Sequence, residues 1–440
     1  MDGSFAKPPL TGEGMHALAA ELYPICRSLT GDGVRRTLAR VAREVPLEIV
    51  EVPTGTPVLD WEVPREWNIR AAWIETLDGR RVVDFADHAL HILNYSRPID
   101  MVVSREALAK HVHTLPQQPD LIPYRTAYYA DTWGFCMAHR TWEAMTDPEY
   151  RVVVDSTLEP GRLTYGELHV PGTTEGDILV SLHVCHPQLA NDNLSGLVVA
   201  TALAQRLLNG PKRRLGVRFV FLPATIGAIT WLARNEAAVD RVRHGLTLSC
   251  IGDPGPFHYK RSRREDAAID RAVAHVLAAR GVEHGILPFS PYGYDERQYC
   301  SPGYDLPVGC FMRGVHGTFP EYHTSADNLD FIRPEALAES LSVLAEVLDL
   351  LDADVTYART DGGKGEPQLG RRGLYRQIAG QKDQGGLDQM AVLWVLNLAD
   401  GKHRLLDMAE RARMPFAKVR AAARACEEAG LLEVVPDTRR

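Results

Sequence analysis

The stretch ILVSLHVCHPQLANDNLSG, residues 178–196, limits what this chain can fold into more than any other. Ile178 to Leu182 is a short apolar run of strand length, and an apolar helical period follows from about Leu197 to Leu208. A buried strand that passes through a polar turn into a helix opens a crossover unit of an α/β sheet, and such sheets place their chemistry beyond the C-terminal strand ends. His183, His186 and Asp192 fall there. Imidazole nitrogen and aspartate oxygen are donors that zinc accepts at about 2.0–2.2 Å, and three protein donors leave a position for water. Taken alone, two histidines before Pro187 also read as ordinary loop residues.

A second polar segment, Glu321-Tyr322-His323-Thr324-Ser325-Ala326-Asp327-Asn328, shifts that balance toward a metal. Together the two segments resemble the zinc aminopeptidases of the bacterial leucyl aminopeptidase and transferrin-receptor type, in which an H-x-D strand end, a D-D/N-x-S-G turn and a Y-H-T-x-x-D segment supply ligands. The resemblance implies that His183 is the strand-end histidine and that Asp192 is the metal-bridging aspartate, with Asn193, Ser195 and Gly196 completing its turn. It implies a ligand role for His323 as well, beside Tyr322, Thr324 and Asp327. One departure is that Cys185 replaces the family's carboxylate two residues after His183, with His186 following. Either histidine suits the ligand role. His186, nearer along the chain to Asp192, is slightly preferred, with His183 as ligand or as a hydrogen-bond partner behind it.

The larger departure follows the apolar strand Val217 to Leu222. The family pattern there is Glu-Glu-x-Gly, whose first glutamate is the general base and whose second binds another zinc; this chain has Ala224-Thr225-Ile226-Gly227. A site without the second carboxylate is expected to hold one zinc. Ala224 removes a proton acceptor worth roughly 10²–10⁴-fold in rate. Three explanations stay open: an engineered Glu-to-Ala change, which the otherwise intact site favours, a natural relative whose base comes from elsewhere, or a non-catalytic descendant.

Asp253 follows the strand that in the family carries a further metal-binding acid, with shifted spacing, and is read as a ligand or as a neighbour of one. Tyr294-Asp295-Glu296-Arg297-Gln298-Tyr299 is similar to the family's S-D-H segment facing the active site. In that reading Asp295 or Glu296 holds a substrate amine, Arg297 grips a carboxylate bidentately and Tyr294 lies beside them, while Glu296 and Tyr322 join position 224 as catalytic candidates. Two acids and an arginine in six residues also read as a solvated loop.

The 440 residues, 45% of them apolar and 24% charged, are ordinary globular material for two or three domains. A net charge of -8 argues against a chain whose main work is coating nucleic acid or an anionic membrane. The N-terminus lacks a basic segment followed by an apolar core, and no run reaches roughly 18 apolar residues, so a cytoplasmic protein is expected. Seven cysteines without C-x-x-C spacing read as free thiols in a reducing compartment. Cys185 reads as a small buried apolar residue.

The predicted fold class is α/β: a mostly parallel sheet flanked by helices over residues 10–57 and 157–352, zinc-peptidase-like, with a mainly β insertion at 58–156. Aromatics at Pro123 to Tyr129 read as packing of that insertion or as a binding wall. A Gly-rich passage from Thr360 to Gly386 precedes three short helices and a closing strand at 387–440, which resemble a winged helix. From 387 on there are nine Lys or Arg against eight Asp or Glu, less than the basic footprint usual for DNA binding. Packing or oligomer contact is therefore preferred, although Lys418, Arg420 and Arg424 keep DNA open.

The functional expectation is a zinc-dependent hydrolase of a small or short-peptide substrate, cleaving an amide bond next to a free amine, with very slow turnover while Ala224 stands. The alternatives are a ligand-sensing or DNA- or partner-binding regulator on a dead hydrolase core, and an amide-forming or cyclising transferase.

Overall fold

The computed structural model describes residues 7–374 and 387–436. The first six residues, 375–386 of the Gly-rich passage and the last four of the expected C-terminal domain lie outside them.

Eight strands form the main sheet: β1 (Glu48–Pro53), β2 (Arg162–Val170), β3 (Asp177–His183), β4 (Gly216–Leu222), β5 (Val242–Leu248), β6 (Phe257–Lys260), β7 (His284–Leu287) and β8 (Val308–Met312). Their order is β1-β2-β4-β3-β5-β8-β6-β7. The middle is parallel, with β3 between β4 and β5 and β5 beside β8. Toward the sides the pairing is antiparallel, β1 with β2, β2 with β4 and β6 with β8. β3 is buried at every position, as a central strand covered on both faces must be. The chain steps from β3 to β4 on one side and later to β5 on the other, so the strand order reverses at the C-terminal end of β3. Open α/β sheets bind their ligands at such a reversal.

The helix after β3, Gly196–Leu208, is buried from Gly196 to Gln205, which explains its near absence of charge. The first helix, Gly12–Leu22, is capped by Thr11, whose side chain accepts from Gly14 N–H. It ends at Leu22 because Pro24 follows and cannot continue it. After β4 the helical stretch breaks at Asn235 into Ile226–Arg234 and Glu236–Val239.

The insertion carries its own four-stranded antiparallel sheet, in the order Arg81–Asp84, Glu66–Thr76, Glu149–Glu159, Ile99–Ser104. Its two long strands pair from Glu66 with Glu159 to Thr76 with Tyr150. Trp67, Ile74, Val152 and Val154 share one apolar cluster with Leu179 and Val220 of the main sheet. Arg35 adds a polar tie, reaching Glu51 on β1 at 2.8 Å and Glu66 of the insertion at 2.5 Å.

By contacts, one compact unit runs to Glu265 and takes in Gly285–Ser342, and a second comprises Asp266–His284 and the chain from Val343. The second contains a winged helix: helices Gln389–Leu398, Leu405–Ala412 and Phe416–Glu428, with strands in the order Asp400–Arg404, Thr356–Arg359, Leu432–Val435. The strand Thr356–Arg359 precedes the 387–440 segment read from sequence. Within this unit the helix Ala268–Arg280 docks on the module. Arg271 pairs with Asp407 and Glu410, and the Phe416 N–H donates to His275 Nε2 at 3.0 Å.

Candidate metal centre

His183 is the last residue of β3, and the Val184 N–H donates to the Leu222 carbonyl, keeping the chain beside β4 as it leaves the sheet. Asp192 sits in an irregular turn whose backbone is set by Asp327. That carboxylate accepts from the N–H groups of Ala190, Asn191 and Asp192 at 3.1, 2.5 and 3.0 Å. Ser195 Oγ donates to the Asn191 carbonyl and accepts from Ile251 N–H, and Asn193 Nδ2 donates to the Leu248 carbonyl. The turn is thus fixed by buried backbone partners before its carboxylate touches anything.

His183 Nε2 lies 2.7 Å from Asp192 Oδ1 and 3.2 Å from His186 Nδ1. The three donor atoms lie within 4.8 Å of one another. His323 Nε2 approaches the other oxygen, Oδ2, at 2.9 Å. Burial alone pushes the Asp192 carboxyl up, but His186 and His183 hold it well below the usual carboxylate range. Two imidazole nitrogens and a carboxylate oxygen within 4.8 Å of one another in a largely buried setting cannot all be satisfied by one shared proton. They suit a cation with nitrogen and oxygen ligands.

Tyrosines wall the site. Tyr294 stacks flat on His183, ring centroids 4.7 Å apart, and Tyr322 on His323 at 3.9 Å; the Tyr294 hydroxyl donates to that of Tyr322 at 3.2 Å. Tyr124 of the insertion turns its ring edge-on to His186 and His323, and its N–H donates to the His323 carbonyl. Of the two readings of the 123–129 aromatics, Tyr124 therefore belongs to the wall, while Tyr95 and Tyr128 pack against each other.

Ala224 lies beyond the end of β4, its carbonyl 3.8 Å from Cys185 Sγ. Cys185 is buried, and burial pushes its thiol up to about 12, a protonated packing residue. Asp295 and Glu296 are fully buried at the start of the short helix Glu296–Tyr299, contrary to a solvated loop. Lys260 Nζ sits 2.5 Å from Glu296 Oε1 without hydrogen-bond alignment, and neither Asp295 oxygen has a partner. Arg297 is half-buried, with an unpartnered Nε.

Asp253 does not join the ligand atoms. β5 ends at Leu248, five residues before Asp253, and both Asp253 oxygens are used in fixing loops: Oδ1 accepts from Gly255 N–H, and Oδ2 from Gly314 N–H and Asn191 Nδ2. Two further residues at the site carried no signal in the sequence. Arg27, buried, donates from Nε to the His186 carbonyl and from Nη1 to the Leu22 carbonyl, while Nη2 has no partner. His316 packs edge-on to Tyr294 from the loop between β8 and His323.

The sheet, its switch point and this donor set define an aminopeptidase-like α/β protein with a candidate metal centre and a C-terminal winged helix. Residues 16–354 match the family described as a domain of unknown function, DUF4910, and the chain belongs to that family. Residues 356–434 match the winged helix-turn-helix family. A Clostridium acetobutylicum protein, provisionally named a polysaccharide biosynthesis protein with an aminopeptidase-like domain, is 44% identical over 425 residues, 97% of each chain. A crystal structure of a provisionally assigned peptidase from Clostridium acetobutylicum superposes with a TM-score of 0.91 at 42% identity, covering 96% of each chain. A zinc aminopeptidase from Bacillus subtilis shares the fold, with a TM-score of 0.57 at 12% identity over 78% of this chain and 95% of its own.

Proposed function

We propose that this protein is a zinc-dependent aminopeptidase-like hydrolase that cleaves an amide bond in a small amine-bearing substrate. The observation that carries the reading is the Asp192 carboxylate, which faces His183 with one oxygen and His323 with the other at the switch point of the sheet. His183, His186 and Asp192 would hold one zinc, with His323 completing the set. When bound, zinc supplies a Lewis acid for the substrate carbonyl and lowers the pKa of water.

The chain's own residues supply the rest. Tyr294 and Tyr322, their hydroxyls held neutral by burial, fix the two imidazole planes and offer hydrogen bonds to a substrate oxygen. Tyr124 excludes water from the insertion side. Arg297, half-buried with an unpartnered Nε, suits a substrate carboxylate. The name of the Clostridium acetobutylicum relative supports adding aminoacylated amino sugars to the substrates tried.

The test is elemental analysis of the purified protein followed by hydrolysis of a panel of aminoacyl amides and aminoacyl amino sugars. About one zinc per chain with release of a free amine is expected. A chain that takes up no zinc sinks the reading, and a condensed product instead of two fragments would point to the transferase alternative.

A further inference from the structure

Position 224 lacks the carboxylate that the aminopeptidase pattern calls for, and the chain holds a buried carboxylate without hydrogen bonds, Asp295, next to the tyrosine that covers His183. Asp295 precedes the helix Glu296–Tyr299, which is pinned under β3 by the Tyr299 hydroxyl against Ser181 Oγ at 2.9 Å. On its other side Tyr294 covers the ring of His183. Ser181 and His183 are two apart on one strand and share a face, so Asp295 sits between the two tyrosines that grip the end of β3. Its charge also acts on Cys185, whose Sγ lies 3.8 Å from the Ala224 carbonyl. Cys185 thus touches the backbone of position 224 and feels the charge of Asp295.

The other acids near the centre are committed. Asp327 accepts three backbone N–H groups, Asp253 holds two loops, and Glu296 lies against the buried Lys260 ammonium. Asp192 faces the histidines. Both Asp295 oxygens are buried without a hydrogen bond, which is costly unless the group has a task or a missing partner.

We propose that Asp295 is the proton acceptor of this site, acting in place of a carboxylate at position 224. The proposal rests on the hydrolase reading. Water adds its oxygen to the substrate carbonyl carbon while the C–N bond breaks; Asp295 takes one proton from that water and returns it to the leaving nitrogen, so the carboxylate is regenerated and only water is consumed. Burial, then the neighbouring Glu296 charge, raise the Asp295 carboxyl to about 7, with Arg297 opposing them. A base poised near neutrality is what such a transfer needs.

The test compares the zinc-loaded parent with Asp295→Asn, a change of equal size, and with the double variant Asp295→Asn/Ala224→Glu. Zinc content by elemental analysis is measured first. Acetohydroxamate binding is then followed by calorimetry at pH 8 in buffers of different ionisation enthalpy, which counts the protons released. The parent should keep the hydroxamate proton on Asp295; Asp295→Asn should release one more proton per site with its zinc intact, and the double variant should keep it again. Hydrolysis by Asp295→Asn should fall about 10²–10⁴-fold. Equal proton release from parent and Asp295→Asn, both holding zinc, overturns the proposal, as does loss of zinc from Asp295→Asn alone, which would make the residue a support of the metal site. A parent that binds no zinc removes the hydrolase reading itself and the proposal with it, an outcome that the metal analysis separates from the others.

Discussion

Asp192 Oδ2 and His323 Nε2 lie 2.9 Å apart, although 131 positions separate them in the chain. The contact joins the two polar segments that the sequence pattern singles out, and the other oxygen of the same carboxylate meets His183. Because one residue links both halves, its loss should not be compensated locally. Asp192→Asn keeps the size and removes the charge. Zinc affinity should fall by more than the roughly 10–100-fold typical of residues that only support a ligand, measured by competition with a chromophoric chelator. Unchanged affinity would show that the centre is held by the histidines alone.

Asp327 tests the support beneath that carboxylate. Three backbone N–H groups converge on it from Ala190, Asn191 and Asp192. In Asp327→Asn one acceptor oxygen becomes a donor and at least one buried N–H loses its partner, at a cost of about 1–3 kcal/mol. Urea unfolding should show that loss. Zinc affinity should fall with it by roughly 10–100-fold, although Asp327 touches none of the ligand side chains. A stable variant with unaltered zinc affinity would remove Asp327 from this role.

These contacts also mark how far the sequence could be read. The strand at β3, the Asp192 turn and the His323 segment are legible because each combines a local period with polar residues that a core would not tolerate. Tyr124 was ambiguous because its role depends on the pairing of Pro123 with Thr324, a contact between an insertion and a loop about 200 residues away that no local pattern encodes. Asp253 was open between ligand and neighbour because register decides it: β5 stops at Leu248, and the carboxylate anchors loops, including Asn191 beside Asp192. Arg27 was hidden in the opposite way, in a segment that reads as the tail of a helix until Pro24 ends it. The strand Thr356–Arg359 was missed because four residues of mixed polarity carry too little alternation to stand out.

The tie between core and insertion should be visible in acid. The hydrogen bond from Arg35 lowers the Glu66 carboxyl to about 2, below its ordinary value of about 4.3 in an unfolded chain. A depressed folded-state pKa means that the contribution is complete above about pH 4.3 and is lost as pH falls toward 2. Both side chains are partly screened by solvent, so Glu66→Gln should cost only about 1–2 kcal/mol at pH 7. The gap between parent and variant in denaturant unfolding should narrow steadily below about pH 4.3 and close only below about pH 2. A difference that persists there would mean the pair is not the source.

The third helix of the winged helix, Phe416–Glu428, is engaged at its N-terminal end within its own unit: the first N–H is taken by His275 and Lys418 pairs with Asp388. His275, Val276 and Leu350 share a cavity of about 460 Å³ with Phe416 and Arg420. A reading helix needs its N-terminal part free for a groove. Duplex binding by fluorescence anisotropy should therefore be no tighter than the roughly 10⁻⁴–10⁻⁶ M of non-specific association. A nanomolar, steeply salt-dependent affinity would revive the regulatory alternative.

Ala224→Glu separates the remaining explanations of the altered strand end. If the chain is a disabled hydrolase whose only defect is the absent base, restoring glutamate should raise hydrolysis about 10²–10⁴-fold. If Asp295 already serves, the added carboxylate duplicates a function and brings a second negative charge beside Cys185, close to Asp295 and Asp192. Like charges at such a site raise one another's pKa values. The expected result is a gain of less than about tenfold, together with a shift of the pH–rate profile to higher pH, because the two acids now titrate as a pair. A large gain with an unshifted profile would return the catalytic role to position 224 and leave Asp295 as a binding group.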